Sequence, residues 1–274
     1  MEIIAERINT SIKYIEKAYE EKNAKVIQEE ALKQVEAGAD IIDINAGLKL
    51  DNNVQRLVWA VDVVQEVTDV PLAVDSIHPK AIEAGLRRCK DVKRCMANSI
   101  TMQKARISGI LPFVKEMGCK VVGVTIDEGG GMPDHAEGRL EIAKRLAEAV
   151  DSYGIDLSLL YVDFMCLPVS VPNWYRQSLT SLESLRLIKK ELPQVKAMVN
   201  VSASTWNLPR RSLATRTFQA MLMASDLDAV LLNPLDRELM ATIVVAKTML
   251  GRDKDCVAYL AAHKEGILQE RPSI

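Results

Sequence analysis

Cysteine is scarce and unpatterned in this chain: Cys89, Cys95, Cys119, Cys166 and Cys256 are an odd number without a Cys-x-x-Cys spacing. That excludes a disulfide frame and a zinc ribbon. Histidine is scarcer, with His78, His135 and His263 scattered along the chain and expected at the surface, so no His cluster offers to hold a metal. Aromatics amount to three Phe, six Tyr and three Trp against 48% hydrophobic residues overall. The core must therefore be aliphatic, and that much apolar content excludes disorder. An excess of one charge is lacking too, with 35 Lys+Arg facing 37 Asp+Glu for a net charge of −2. Such a balance supplies no basic face for nucleic acid. No apolar run approaches the roughly 20 residues that span a bilayer. The segment from Met1 to Arg7 carries Glu2 and Glu6 where a secretory leader would be basic. The expectation is a soluble, cytoplasmic, reduced protein without nucleic-acid, membrane or metal partners.

What is present is alternation. Short apolar runs at 2–6, 40–45, 71–75, 94–98, 120–126, 159–163, 196–200 and 229–232 read as eight strands. Between them, 3.6-residue periodicity predicts helices near 25–35, 54–67, 79–88, 104–117, 139–153, 178–191, 211–224 and 237–250. An extra amphipathic turn at 12–19 belongs to the first crossover. Pro79 and Asp236 mark helix starts, while Gly38, Gly118 and Gly251 mark stops. Strand–helix alternation with short links implies parallel strands and right-handed crossovers. Eight units in 274 residues allow about 34 residues each, the size of one βα unit. No G-x-G-x-x-G follows the first strand, which disfavours a doubly wound sheet. The predicted fold is α/β, a single (β/α)8 TIM barrel occupying residues 1–274 as one domain.

In such a barrel the active site lies at the C-terminal ends of the strands. Reading those ends in order gives Glu6 with Asn9, Asp43 with Asn45, Asp75, Asn98, Asp127, Asp163, Asn200 with Ser202, and Asn233 with Asp236. Each strand thus ends in or beside a carboxylate or carboxamide, and none in His or Cys. Carboxylates accept paired hydrogen bonds from an amino/N–H edge, and Asn both donates and accepts, so the set suits a ring rich in N–H groups such as a pterin. Turn formation and helix capping are the alternative use of such residues, with Asp75 and Asp236 as cap candidates.

The motifs Glu6-Arg7-Ile8-Asn9, Asp43-Ile44-Asn45-Ala46-Gly47, Val74-Asp75-Ser76 and Ala97-Asn98-Ser99 resemble those of the pterin-binding TIM barrels. Tyr161-Val162-Asp163 with Leu167-Pro168, and Asn200-Val201-Ser202, narrow the resemblance to the methyltetrahydrofolate:corrinoid protein methyltransferases. It covers essentially the whole chain. Dihydropteroate synthases, the sister activity, carry a different first loop from Asn9-Thr10-Ser11 and a basic motif near the last strand, where Asn233-Pro234 stands here.

The resemblance implies that Asp75, Asn98 and Asp163 hold the pterin ring, with Asp43 and Asn45 on its floor and Glu6 and Ser202 beside them. Asn200 matches the family's catalytic Asn near pterin N5, where a hydrogen bond that strengthens as charge develops would lower the barrier. No general acid of suitable pKa is evident in the sequence, so solvent would carry the proton. The substrate would be tetrahydrofolate or methyltetrahydrofolate. The corrinoid would sit on a separate partner protein, because no Asp-x-His-x-x-Gly cobalamin signature occurs. A homodimer is implied, and demethylation of a methylated donor is one setting for the system.

The stretch Ala203-Ser204-Thr205-Trp206-Asn207 departs from the family's Gly-Leu-Pro after Asn-x-Ser, and favours transfer toward methyltetrahydrofolate. The glycines of 127–133 read as a mobile lid loop, Cys166 as a small apolar filler, and Met221 with Met223 as core. A dihydropteroate synthase-like pterin enzyme and a noncatalytic pterin-binding component stay open as alternatives.

Overall fold

Eight strands pair in chain order, each parallel to the next, and the last pairs back onto the first, so the sheet is a closed barrel. They are β1 (Glu2–Asn9), β2 (Ile41–Asn45), β3 (Leu72–Asp75), β4 (Met96–Ile100), β5 (Lys120–Val124), β6 (Leu160–Asp163), β7 (Lys196–Asn200) and β8 (Ala229–Leu232). The computed structural model describes residues 1–47 and 53–268. Among these, the helices are α1 (Lys13–Glu21), α2 (Ala24–Glu36), α3 (Asn53–Gln65), α4 (Pro79–Leu86), α5 (Lys104–Met117), α6 (Ala136–Ser152), α7 (Gln177–Glu191), α8 (Arg211–Ala224), α9 (Arg237–Met249) and α10 (Val257–Lys264). Among the described residues no helix is long and apolar enough to cross a membrane.

The period of two in each strand sorts the core into two compartments. Ile4, Ile41, Ala73, Met96, Val122, Tyr161, Met198 and Ala229, one from each strand, pack inside the barrel. Residues of opposite parity, such as Ile42, Val74, Val121 and Val199, face the helices in the larger outer cluster. At the base, Glu2 accepts from Tyr161 Oη at 2.8 Å and pairs with Lys120 Nζ at 3.0 Å, closing that end with polar atoms. The outer contact is tight: a Cβ on Gly85 of α4 would meet Val74 Cγ1 at 2.7 Å. A Gly85→Ala change would therefore push the helix off the sheet.

Several element boundaries differ from the sequence reading for local physical reasons. β1 continues to Asn9 because a bulge lies between Ala5 and Ile8, where one extra residue interrupts the ladder to β2. β5 stops at Val124 rather than 126, and Arg94 belongs to a short 3₁₀ turn before β4. The turn at 12–19 is a full helix, α1, and α10 is a helix the periodicity did not announce. Asp236 does cap α9, accepting from Leu239 N at 3.1 Å, whereas Asp75 caps nothing and stays available to the barrel mouth. Met223 is core, but Met221 is exposed on α8.

Candidate active site at the barrel mouth

Two residues above the inner apolar layer, the same parity brings a second layer into the barrel. It consists of Glu6 on β1, Asp43 on β2, Asp75 on β3, Asn98 on β4, Asp163 on β6 and Asn200 on β7. Asn45, the next inward residue of β2, is the ladder partner of Asp75. The ring is incomplete. Val124 on β5 and Leu231 on β8 occupy the equivalent places and pack on the inner layer. Asp127 and Asn233 instead serve their own loops, accepting from Gly131 N at 2.7 Å and Leu235 N at 3.0 Å. Sequence position could not separate these two residues from the inward set; what separates them is that β5 stops at Val124 and β8 at Leu232, so both residues lie beyond their strands.

The inward residues are joined in pairs. Asn45 Nδ2 donates to Asp75 Oδ2 at 2.7 Å, and Asn98 Nδ2 donates to Asp43 Oδ1 at 3.0 Å across the intervening strand. Asn200 Nδ2 and Ser202 Oγ both donate to Glu6, at 3.2 and 2.7 Å. Asp163 Oδ1 accepts from Met165 N at 2.8 Å, which fixes its rotamer at the strand end. Asn200 Oδ1 is buried and has no hydrogen-bond partner within the protein. A buried acceptor without a partner costs about 1–3 kcal/mol, a cost that a donor meeting Asn200 Oδ1 would offset.

Burial dominates the electrostatics. It pushes the carboxyls of Asp75 and Asp163 up to about 6, against the lowering pull of Asn45 and Arg106 on the first and of Met165 N and Arg139 on the second. Burial likewise raises Glu6 and Asp43, and the neighbouring Asp75 charge adds to the rise at Asp43. The barrel mouth thus holds carboxyls whose burial raises them above the ordinary carboxylate range. Among the described residues, no group of three or more His, Cys, Asp or Glu side chains is arranged to hold a metal ion.

Two arginines support this layer, and neither stands out in the sequence. Arg106 on α5 donates to the carbonyls of Ser76, Ile77 and Ser99, tying the loop after β3 to the end of β4 beside Asp75. Arg139 on α6 is only 1% exposed. It donates to the carbonyls of Pro133, Phe164 and Met165, to Gln177 Oε1 and to Ser181 Oγ. Arginine on an amphipathic helix ordinarily faces water, so only the tertiary structure reveals these two. Cys166 is buried, and its thiol is pushed up to about 12, so it packs rather than reacts. The loop at 127–133 is stitched internally, Asp127 N donating to Gly131 O, and Glu128 pairs with Arg145 of α6. His78 is half-buried with Nε2 unpartnered, not a surface residue, while His135 and His263 are exposed.

A family profile described as pterin binding enzyme matches residues 5–233. The chain belongs to the pterin-binding enzymes. Its inward acids and amides, from Glu6 to Asn200, all fall within the matched span. This pterin-binding enzyme is 28% identical over 269 residues to the methylcorrinoid:tetrahydrofolate methyltransferase of Eubacterium limosum, covering 97% of both chains. It is 26% identical over 185 residues to the methionine synthase of Mycobacterium leprae, a match that takes in 64% of this chain and 15% of that protein. Among solved structures, a dihydropteroate synthase of Xanthomonas albilineans superposes with a TM-score of 0.68 at 16% identity over 93% of each chain. That of Thermus thermophilus gives 0.65 at 14% identity, over 91% of this chain and 93% of that one. At such identities the structural likeness shows the barrel fold.

Proposed function

We propose that this enzyme transfers a methyl group between tetrahydrofolate and a methylated corrinoid carried on a separate protein, in the direction that forms methyltetrahydrofolate. The observation that carries this reading is the Asn200 amide, fixed by Glu6 with a buried, unpartnered Oδ1, inside a ring of carboxylates. The end-to-end similarity to the methyltransferase of Eubacterium limosum supports it.

In this reading Asp75, Asn98 and Asp163 take the N–H edge of the pterin, above a floor of Asp43 and Asn45. The N5 lone pair would attack the methyl carbon, the methyl–cobalt bond would break with its electron pair left on cobalt, and the N5 proton would pass to solvent. N5 becomes positively charged along the way. An acceptor held against N5–H is then worth more in the transition state than in the ground state, which is the condition for catalysis. Asn200 Oδ1 is such an acceptor.

The partner would approach over the strand C-termini, where Trp206 and Tyr175 stand 54% and 76% exposed on the loops after β7 and β6. The implied homodimer has an apolar face of its own. α10 buries only Ala262, while its Val257 and Leu260 and the neighbouring Met249 of α9 are exposed. A second copy of the chain would cover them. We also take 1–274 as one working domain in the cytoplasm.

The test is methyl exchange between methylated corrinoid protein and tetrahydrofolate, followed by the appearance of methyltetrahydrofolate. Absence of exchange in both directions overturns the proposal. Condensation of a pterin pyrophosphate with aminobenzoate would install the dihydropteroate synthase reading in its place, and folate binding without either reaction would leave a noncatalytic component.

A further inference from the structure

Glu6 occupies an unusual position in the ring. β8 ends at Leu232, which lies beside Ala5 of β1, so the strand stops before reaching the level of Glu6. The bulge after Ala5 sets Glu6 and Arg7 together opposite the Asp43 position, and Glu6 keeps the inward parity of Ile4. Arg7 turns outward, its Nε 2.5 Å from Glu30 on α2, while Glu6 turns inward. Its carboxyl crosses the gap above β8 and meets Asn200 and Ser202 of the β7 end.

We propose that Glu6 is a positioning residue that selects which end of the Asn200 amide faces pterin N5; this rests on the methyl-transfer reading above. The reasoning is one of donors and acceptors. An ionised carboxylate only accepts, so it draws Asn200 Nδ2 to itself and leaves Oδ1 for the ligand, which is the arrangement observed. Tetrahydrofolate carries N5–H and needs an acceptor there. A protonated Glu6 donates, which draws Oδ1 and turns Nδ2 toward N5. Methyltetrahydrofolate, whose N5 is a tertiary amine, needs that donor. The charge of Glu6 thus matches the amide to one substrate or the other, and Ser202 Oγ favours the ionised form by donating to it.

The surrounding groups set how readily Glu6 changes charge. Burial raises its carboxyl, opposed by the Ser202 and Asn200 hydrogen bonds and by the charges of Arg211, at the start of α8, and of Arg7. Asp43 on β2 also interacts with the Glu6 charge, each disfavouring ionisation of the other.

Two measurements decide the matter. In uniformly ¹⁵N-labelled full-length protein, the Asn200 side-chain amide signal is identified by its loss in Asn200→Ala. That signal is expected to move through one titration step in the wild type and to stay still with pH in Glu6→Gln. Unaltered titration in Glu6→Gln overturns the proposal whether or not the protein transfers methyl groups. In the exchange assay, Glu6→Ala is expected to lower kcat by roughly 10- to 100-fold, the loss of one charge-assisted hydrogen bond, with the folate Kd within about threefold. The double variant Glu6→Ala/Asn200→Ala should be no slower than Asn200→Ala alone. Multiplying losses would mean that Glu6 acts independently of Asn200, and would overturn the proposal. A wild type that exchanges no methyl fails the functional reading, and the amide titration still decides the orientation.

Discussion

Asn45 Nδ2 lies 2.7 Å from Asp75 Oδ2, and the two residues are also direct partners in the β2–β3 ladder. Backbone register and side-chain hydrogen bond therefore agree, and the Asp75 carboxylate is held at one angle to the barrel axis. Holding it in place before the ligand arrives spares the binding step that ordering cost.

Asp75→Ala is expected to weaken tetrahydrofolate binding by roughly 10- to 150-fold, from the loss of hydrogen bonds to a charged group worth about 1.5–3 kcal/mol. Isothermal calorimetry checks this. Unchanged affinity would remove Asp75 from the pterin site.

Asn200→Ala should behave differently. Folate binding is expected to stay within a few-fold, while the rate of methyl transfer drops by about 100- to 1,000-fold, the usual cost of one preorganised transition-state hydrogen bond. Single-turnover kinetics at saturating folate separate the two effects. Loss of affinity with an unchanged rate would contradict the role given to Asn200.

The raised carboxyls fix the sign of the pH dependence. Asp75 and Asp163 titrate at about 6 in the folded protein and near 3.9 when unfolded. The folded state holds their protons more tightly, so their contribution favours folding below about 3.9 and is lost as pH rises through 6. The thermal midpoint of the ligand-free protein should fall between pH 5 and pH 8, with a shallower slope in Asp163→Asn. Pterin N–H donors favour the ionised carboxylates, so folate affinity should rise over the same interval with release of protons.

Arg139→Ala removes a buried donor shared among three carbonyls on the loops after β5 and β6 and two side chains on α7. Orphaning several of these acceptors is expected to cost about 3 kcal/mol or more. For a chain of this size that lowers the thermal midpoint by roughly 6–12 °C. A scan of the folded variant reads this directly, and a change under 2 °C would show that water satisfies those acceptors.

Met249→Asp together with Leu260→Asp places two charges on the exposed α9–α10 face. Sedimentation equilibrium should show a dimer for the wild type and a monomer for the variant. A dimer that survives both changes lies on another face.

Much of this protein is determined by the sequence alone. Eight aliphatic runs separated by amphipathic stretches specify parallel strands and outer helices, because period two and period 3.6 bury different faces. Asp43, Asp75, Asn98, Asp163 and Asn200 were legible as a polar set because each sits at the end of an apolar run. What the tertiary structure decided is which polar groups turn inward. Asp127 and Asn233 look identical to the others in sequence, yet their strands stop short and they close their own turns. Glu6 reaches Asn200 because it keeps the inward parity of Ile4 and β8 ends below its level. Arg139 is buried, and Arg106 half-buried, by what packs over them, not by their place in the helical pattern. Local periodicity sets where the backbone goes; the pairing of charges and amides across the barrel depends on register between distant strands, which no short segment encodes.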